Sequence, residues 1–183
     1  SSAASDVYKR QAFGFHTYDK KRKMRKSDVF DLASISKVVG TTSAIMKLHD
    51  DNLIDLNDKV VTYLPQFKGK QKKYFNHKSN ISIKHLLTHS SGLPPFRKYF
   101  LMEGNIESVL DSLYNTEPIY DLEQKTVYSD VGIITLGKIV EKVSLKDLNT
   151  YVQDNITDPL GMHTTFFNPP KEKINRIVPT EIN

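Results

Sequence analysis

Apolar residues recur every three or four positions over several stretches of this chain, and each stretch predicts a helix facing a core. Over residues 31–49, Val38, Thr42, Ile45 and Leu48 share one face. Over residues 131–143 the stripe is stronger, with Ile133, Leu136, Val140 and Val143. A modest amphipathic helix over residues 106–114 carries Ile106, Val109, Leu110 and Leu113. Ser144 is expected to N-cap a further helix bearing Leu148, Val152 and Ile156, closed by Pro159 and Gly161. Residues 81–89 read as a strand edge leading into a short helix, with Ile83, Leu86 and Leu87 inward, and Ser90-Ser91-Gly92-Leu93-Pro94-Pro95 must end it. Leu53, Leu56, Val60, Val61 and Leu64 form a short buried segment stopped by Pro65, and residues 68–80 read as a polar, basic loop. One strand is visible, over residues 12–18, with Phe13, Phe15 and Tyr18 around Gly14. Pro169-Pro170 mark the exit from the last helix. Residues 1–11 stand outside the pattern and are expected to be a non-native leader, leaving 12–183 as one domain. Many helices with one strand predict the helical part of an α+β domain whose sheet is incomplete in this stretch.

Composition narrows the class. The chain has 183 residues, 38% hydrophobic and 26% charged, which fits a folded domain rather than a disordered one. No apolar run approaches the roughly 20 residues of a membrane span. The absence of cysteine excludes a disulfide framework, a thiolate metal site and a cysteine nucleophile. The formal charge of +5 and pI of 9.2 raise nucleic acid as a partner. The excess is local, because Lys20, Lys21, Arg22, Lys23, Arg25 and Lys26 fall in seven positions. Without interleaved aromatic or amide readers, that run reads as a solvated hairpin loop, and no nucleic acid partner is expected.

Candidate chemistry lies at the start of the first helix, where Ser34 and Lys37 form an S-x-x-K pair on one face. A serine hydroxyl is a poor nucleophile until a neighbouring base takes its proton, and a desolvated lysine can do so. Amides at the helix start, that of Ser34 among them, can serve an oxyanion. Tyr128-Ser129-Asp130 sits in a turn just before the strong helix. There a tyrosine can relay protons and Asp130 can hydrogen-bond a substrate. Taken singly, Tyr128 as a core aromatic and Asp130 as a plain N-cap explain the same residues.

Five segments together carry a resemblance: F-D-L-A-S-I-S-K (residues 30–37), H-L-L-T-H-S-S-G-L-P (85–94), Y-S-D (128–130), P-L-G-M (159–162) and V-P-T-E (178–181). In order and spacing they resemble the beta-lactamase-related serine hydrolases, the class C beta-lactamase, D,D-peptidase and esterase type. The chain looks closest to the module found behind a family 3 glycoside hydrolase domain in some anaerobic bacteria. The resemblance implies a beta-lactamase/transpeptidase-like fold, with Ser34 as acylated nucleophile, Lys37 as the base beside it and Tyr128 as the second catalytic hydroxyl. It implies an ester or amide substrate, small or peptidoglycan-like, with no metal or organic cofactor, and a cell-envelope or periplasmic location. Asp130 stands where the family more often has asparagine. An ionised aspartate only accepts hydrogen bonds, so it should pair with Lys37 and raise its pKa, or lock it in position. The family's K-T-G or H-x-G strand would lie beyond residue 183, so the chain is expected to be a fragment, nearly inactive alone.

Other readings compete. His85 and His89, four apart, with His77 or Asp111, can be proposed as metal ligands, although the glutamate of H-E-x-x-H is absent. Asp50, Asp51, Asp55 and Asp58 suggest paired carboxylates, but no calcium-loop pattern accompanies them. A non-catalytic penicillin-binding-like module, or an accessory module of a beta-N-acetylhexosaminidase-type glycoside hydrolase, remains the alternative to an enzyme.

Overall fold

The strongest apolar stripe becomes the longest helix and the centre of the core. The structure, a computed structural model, describes residues 11–180, so all but Gln11 of the expected leader, and Glu181 of V-P-T-E, lie outside the described residues. The chain divides into two units, Ser34–Met162 and the described parts of Ser1–Ala33 with His163–Asn183. Within Ser34–Met162, a wide π-helical turn, Lys37–Thr42, runs into α1 (Ser43–Asp50). There follow α2 (Val60–Tyr63), α3 (Phe75–Asn80), α4 (Ile83–Leu87), α5 (Ile106–Tyr114), α6 (Asp130–Ser144) and α7 (Leu148–Val152).

Helix α6 is buried on more than the predicted stripe. Val131, Ile133, Thr135, Leu136, Ile139 and Val140 are all buried, because α1, α2, α4, α7 and the Lys37–Thr42 turn pack around it. Burying one such leucine contributes about 2 kcal/mol. Gly137 allows the approach of α7, since a Cβ there would sit 3.3 Å from Leu148 Cδ2. Ala44, Ile45 and Leu48 of α1, Ile83 and Leu86 of α4, and Tyr151 and Val152 of α7 complete the same cluster with Phe67 and Leu93.

Several sequence expectations change. The helix predicted over 31–49 starts later, its first turns widened at Lys37–Thr42, where the Ser43 hydroxyl donates to the Val38 carbonyl (2.9 Å). Ser144 ends α6 rather than capping α7. Leu145 turns left-handed (φ 57°), and Asp147 takes the cap by accepting the Thr150 amide at 2.9 Å. Residues 68–80 are not a loop: Lys72–Tyr74 form a 3₁₀ turn that leads into α3. Lys78 of α3 is only 2% exposed. Its ammonium donates to the carbonyls of Tyr114 (2.5 Å) and Thr116 (3.2 Å), at the end of α5, and stands 4.6 Å over the Phe67 ring. Burial pushes its pKa down to about 8.

In the other unit, the strand predicted over 12–18 is reduced to one antiparallel bridge, Phe15 with Lys23, flanked by bonds from His16 N–H to the Arg22 carbonyl and from Met24 N–H to that of Gly14. A two-stranded pair without neighbours adds little ladder. Lys20 and Lys21 lie at the turn of this hairpin, with Lys20 left-handed (φ 56°), and Arg22 and Lys23 begin its returning arm. Burial would push the Asp28 carboxyl up, but the hydrogen bonds of His16 (2.7 Å) and of the Arg25 amide (2.6 Å) hold it below its ordinary value. Val29 bridges Ile177 in parallel. Among the described residues β pairing is confined to isolated bridges, the third being Lys59 with Ser82, and helices dominate as the fold class requires. No described helix is long and apolar enough to cross a membrane.

Candidate active site

Ser34 is exposed and opens the Ser34–Met162 unit. The residue before it, Ala33, is left-handed (φ 45°), its amide donating to Asp31 Oδ1 at 2.7 Å. A non-glycine residue held there costs about 1 kcal/mol or more and such strain clusters at functional sites. Lys37 Nζ lies 3.0 Å from Ser34 Oγ, and its amide donates to the Ser34 carbonyl, so one turn of backbone sets the S-x-x-K pair.

The second wall comes from far along the chain. Ser129 N-caps α6 by accepting the Gly132 amide at 3.2 Å, and its hydroxyl donates to the Pro94 carbonyl at 2.7 Å. The Asp130 amide donates to the Pro95 carbonyl, also at 2.7 Å. The S-G-L-P turn therefore holds Y-S-D against the start of α6. That turn needs Gly92: at φ 75°, a Cβ would fall 2.2 Å from the Tyr120 carbonyl oxygen.

These bonds aim Tyr128 and Asp130 at Lys37. Asp130 Oδ1 pairs with Lys37 Nζ at 3.1 Å, and the ammonium lies 5.2 Å from the Tyr128 ring centroid. Hydrogen bonding to Tyr128, and then the Asp130 carboxylate, hold Lys37 above its ordinary pKa against partial burial. The same contacts act on Tyr128 with the opposite sign: hydrogen bonds with Lys37 and Ser34 lower its phenol, while the Asp130 charge opposes this. The four site residues expected from sequence, Ser34, Lys37, Tyr128 and Asp130, thus share one cluster.

His89 was not foreseen there. It follows α4 in a left-handed conformation, and its ring tilts against that of Tyr128 at 4.9 Å. No periodicity marks it; the only signal is its place just before the S-S-G turn.

The competing ligand sets do not converge. His85 accepts the Ser82 amide at Nδ1 (3.1 Å) and meets Glu123 at Nε2 (3.0 Å). His77 bonds the Ser91 carbonyl, and Asp111 pairs with Lys70. Among the described residues no three His, Asp or Glu side chains gather as metal ligands. Asp55 and Asp58 accept turn amides, and Asp51 pairs with Lys47.

The chain is similar to several known proteins. A Bacillus subtilis (strain 168) protein named N-acetylmuramyl-L-alanine amidase is 32% identical over 88% of this chain and 38% of its own length. An Escherichia coli (strain K12) putative D-alanyl-D-alanine carboxypeptidase is 32% identical over 85% of this chain and 38% of its own. The fold matches the Yersinia pestis beta-lactamase/D-alanine carboxypeptidase with a TM-score of 0.74 at 22% identity, over 92% of this chain and 49% of that one. The chain spans less than half the length of these relatives. Residues 3–181 match the family described as Beta-lactamase, and the chain belongs to that family of beta-lactamase-related serine hydrolases.

Proposed function

We propose that this chain carries the nucleophile of a serine acyl hydrolase that cleaves an ester or amide through an acyl-enzyme on Ser34. The observation that carries this reading is the Lys37 ammonium 3.0 Å from Ser34 Oγ and 5.2 Å from the Tyr128 ring centroid. Because Lys37 is held cationic and the Tyr128 phenol is lowered, Tyr128 is the better base of the two. As Ser34 Oγ attacks the carbonyl carbon, its proton passes to the oxygen of Tyr128 in its ionised form, the form that Lys37 favours. The carbonyl oxygen becomes an oxyanion facing the amide at the helix start. Collapse breaks the bond to the leaving group, which takes the proton back from Tyr128. Water then attacks the ester by the same route in reverse, freeing Ser34 and the acid.

The names of the relatives favour peptidoglycan-like peptide substrates and a cell-envelope setting. A second reading, a binding module without turnover, draws on Asp130, whose carboxylate keeps a proton on Lys37. Reaction of the intact protein that carries this chain with a labelled fluorophosphonate separates the two. Labelling that disappears in Ser34→Ala supports the hydrolase. A correctly folded protein that stays unlabelled, or that labels equally in Ser34→Ala, overturns it.

A further inference from the structure

We propose that His89 is a positioning residue for Tyr128, holding the phenol over Ser34 and Lys37 through bonds to both of its chain neighbours. The inference rests on the reading of Tyr128 as the proton carrier.

Three contacts converge on the tyrosine. The His89 carbonyl accepts the Val127 amide at 2.8 Å. Its Nδ1 accepts the Ser129 amide at 3.2 Å. Between these bonds the two rings meet at 4.9 Å with an angle of 47°. A residue tied on either side and braced on its ring has little freedom left at its Cα, so the remaining χ angles decide where the hydroxyl points. Tyr128 itself is half exposed, so packing alone does not fix it.

The geometry also sets the histidine's state. An N–H pointing at Nδ1 requires a lone pair there, which puts the ring proton of neutral His89 on Nε2. Protonation at Nδ1 would set two donors face to face and release Ser129. Burial lowers the pKa of His89 from its ordinary value, the nearby Asp130 charge raises it and the Lys37 charge lowers it. Among the described residues, Asp130, Lys37 and the Tyr128 phenol are the ionisable groups set against the ring. His89 pays for the clamp with its backbone: at φ 57° it occupies a region that side-chain-bearing residues other than Asn, Asp and His seldom adopt.

The test uses protein carrying ¹³Cζ-tyrosine and ¹⁵N, with the Tyr128 signal assigned by Tyr128→Phe. In the unaltered protein, acid titration of His89 should move the Ser129 amide and the Tyr128 ring signals with the same midpoint. His89→Ala should return the Tyr128 phenol towards its ordinary pKa and slow fluorophosphonate labelling by about 10- to 100-fold, with near-ultraviolet circular dichroism unchanged. His89→Asn keeps an acceptor near the Nδ1 position and tolerates the left-handed backbone. It should titrate and label close to the unaltered protein. Ser129 and Tyr128 signals that ignore the His89 titration, an unchanged phenol in His89→Ala, or His89→Asn behaving as His89→Ala overturn the proposal. The phenol titration does not depend on acyl chemistry. A Tyr128 that follows His89 in a protein without Ser34-dependent labelling would sink the hydrolase reading and leave this one standing.

Discussion

Two lysines with opposite surroundings explain the electrostatic design of this chain. Lys37, with a side chain 21% exposed, faces a carboxylate, a phenol and a serine hydroxyl, and its pKa is raised. Lys78, 2% exposed, faces two carbonyls and an aromatic ring, and its pKa falls to about 8. Dipoles satisfy an ammonium's hydrogen bonds without repaying its lost hydration, whereas a full negative charge does. The fold therefore buries its more readily deprotonated lysine away from the candidate site. At that site Lys37 is held above its ordinary pKa, which on the proposed reading leaves the base role to Tyr128.

Removing the charge from the first region is the severest way to break this comparison. Lys37→Met should lower the rate of Ser34 labelling by about 10² to 10⁴ with little change in thermal stability, checked by labelling kinetics beside a melting curve. Equal labelling would mean that the cation does not serve the site.

The second region should speak through pH. A lysine whose folded pKa lies near 8, against 10.5 unfolded, loses its proton in the folded state first. Between those values the unfolded chain binds the extra proton, so stability rises with pH across that window, by on the order of 3 kcal/mol. Urea unfolding from pH 7 to 10, with Lys78→Met as reference, isolates the contribution. Tyr63, pushed up to about 12 by burial and its bond to Asp58, and Tyr99, Tyr114 and Tyr151, also raised by burial, work in the opposite direction in both proteins. Parallel curves for the two proteins would refute the assignment.

Asp130→Asn sharpens the comparison by making the environment of Lys37 more like that of Lys78. The carboxylate raises both Lys37 and Tyr128. Its loss should move the alkaline rise of Ser34 labelling to lower pH by up to about one unit, a gain of tenfold or less at neutral pH. A fall in rate would mean that Asp130 holds Lys37 in place rather than tuning it. The smallest effect is expected where no charge changes. Ser129→Ala removes an N-cap and should cost about 1 kcal/mol of stability by urea unfolding.

The same contrast explains what could be read from sequence. The stripe over 131–143 predicted α6 nearly to its ends, because eight buried positions leave a regular pattern. Ser34 and Lys37 were legible because three residues of helix suffice to bring them together. The pairing of Asp130 with Lys37 followed from charge once the two segments were assumed adjacent. Helix α3 was illegible: Phe-Asn-His-Lys-Ser-Asn looks solvated, and the partners that bury Lys78 lie 36 and 38 residues away. His89 was illegible for a related reason, since Ser129 is 40 residues distant. The Ser144 cap failed because Ser and Asp both cap helices, and only the left-handed Leu145 decides between Ser144 and Asp147.

Burial of Lys78 also has a consequence for proteolysis. Trypsin needs an extended, accessible lysine, and Lys20, Lys21, Lys23 and Lys26, in and beside the hairpin, are all exposed. Lys78 offers none until α3 leaves Phe67 and the end of α5. Cleavage after Lys78 therefore counts openings of the Ser34–Met162 unit, and when reclosing outpaces cutting its rate measures the population of the open form.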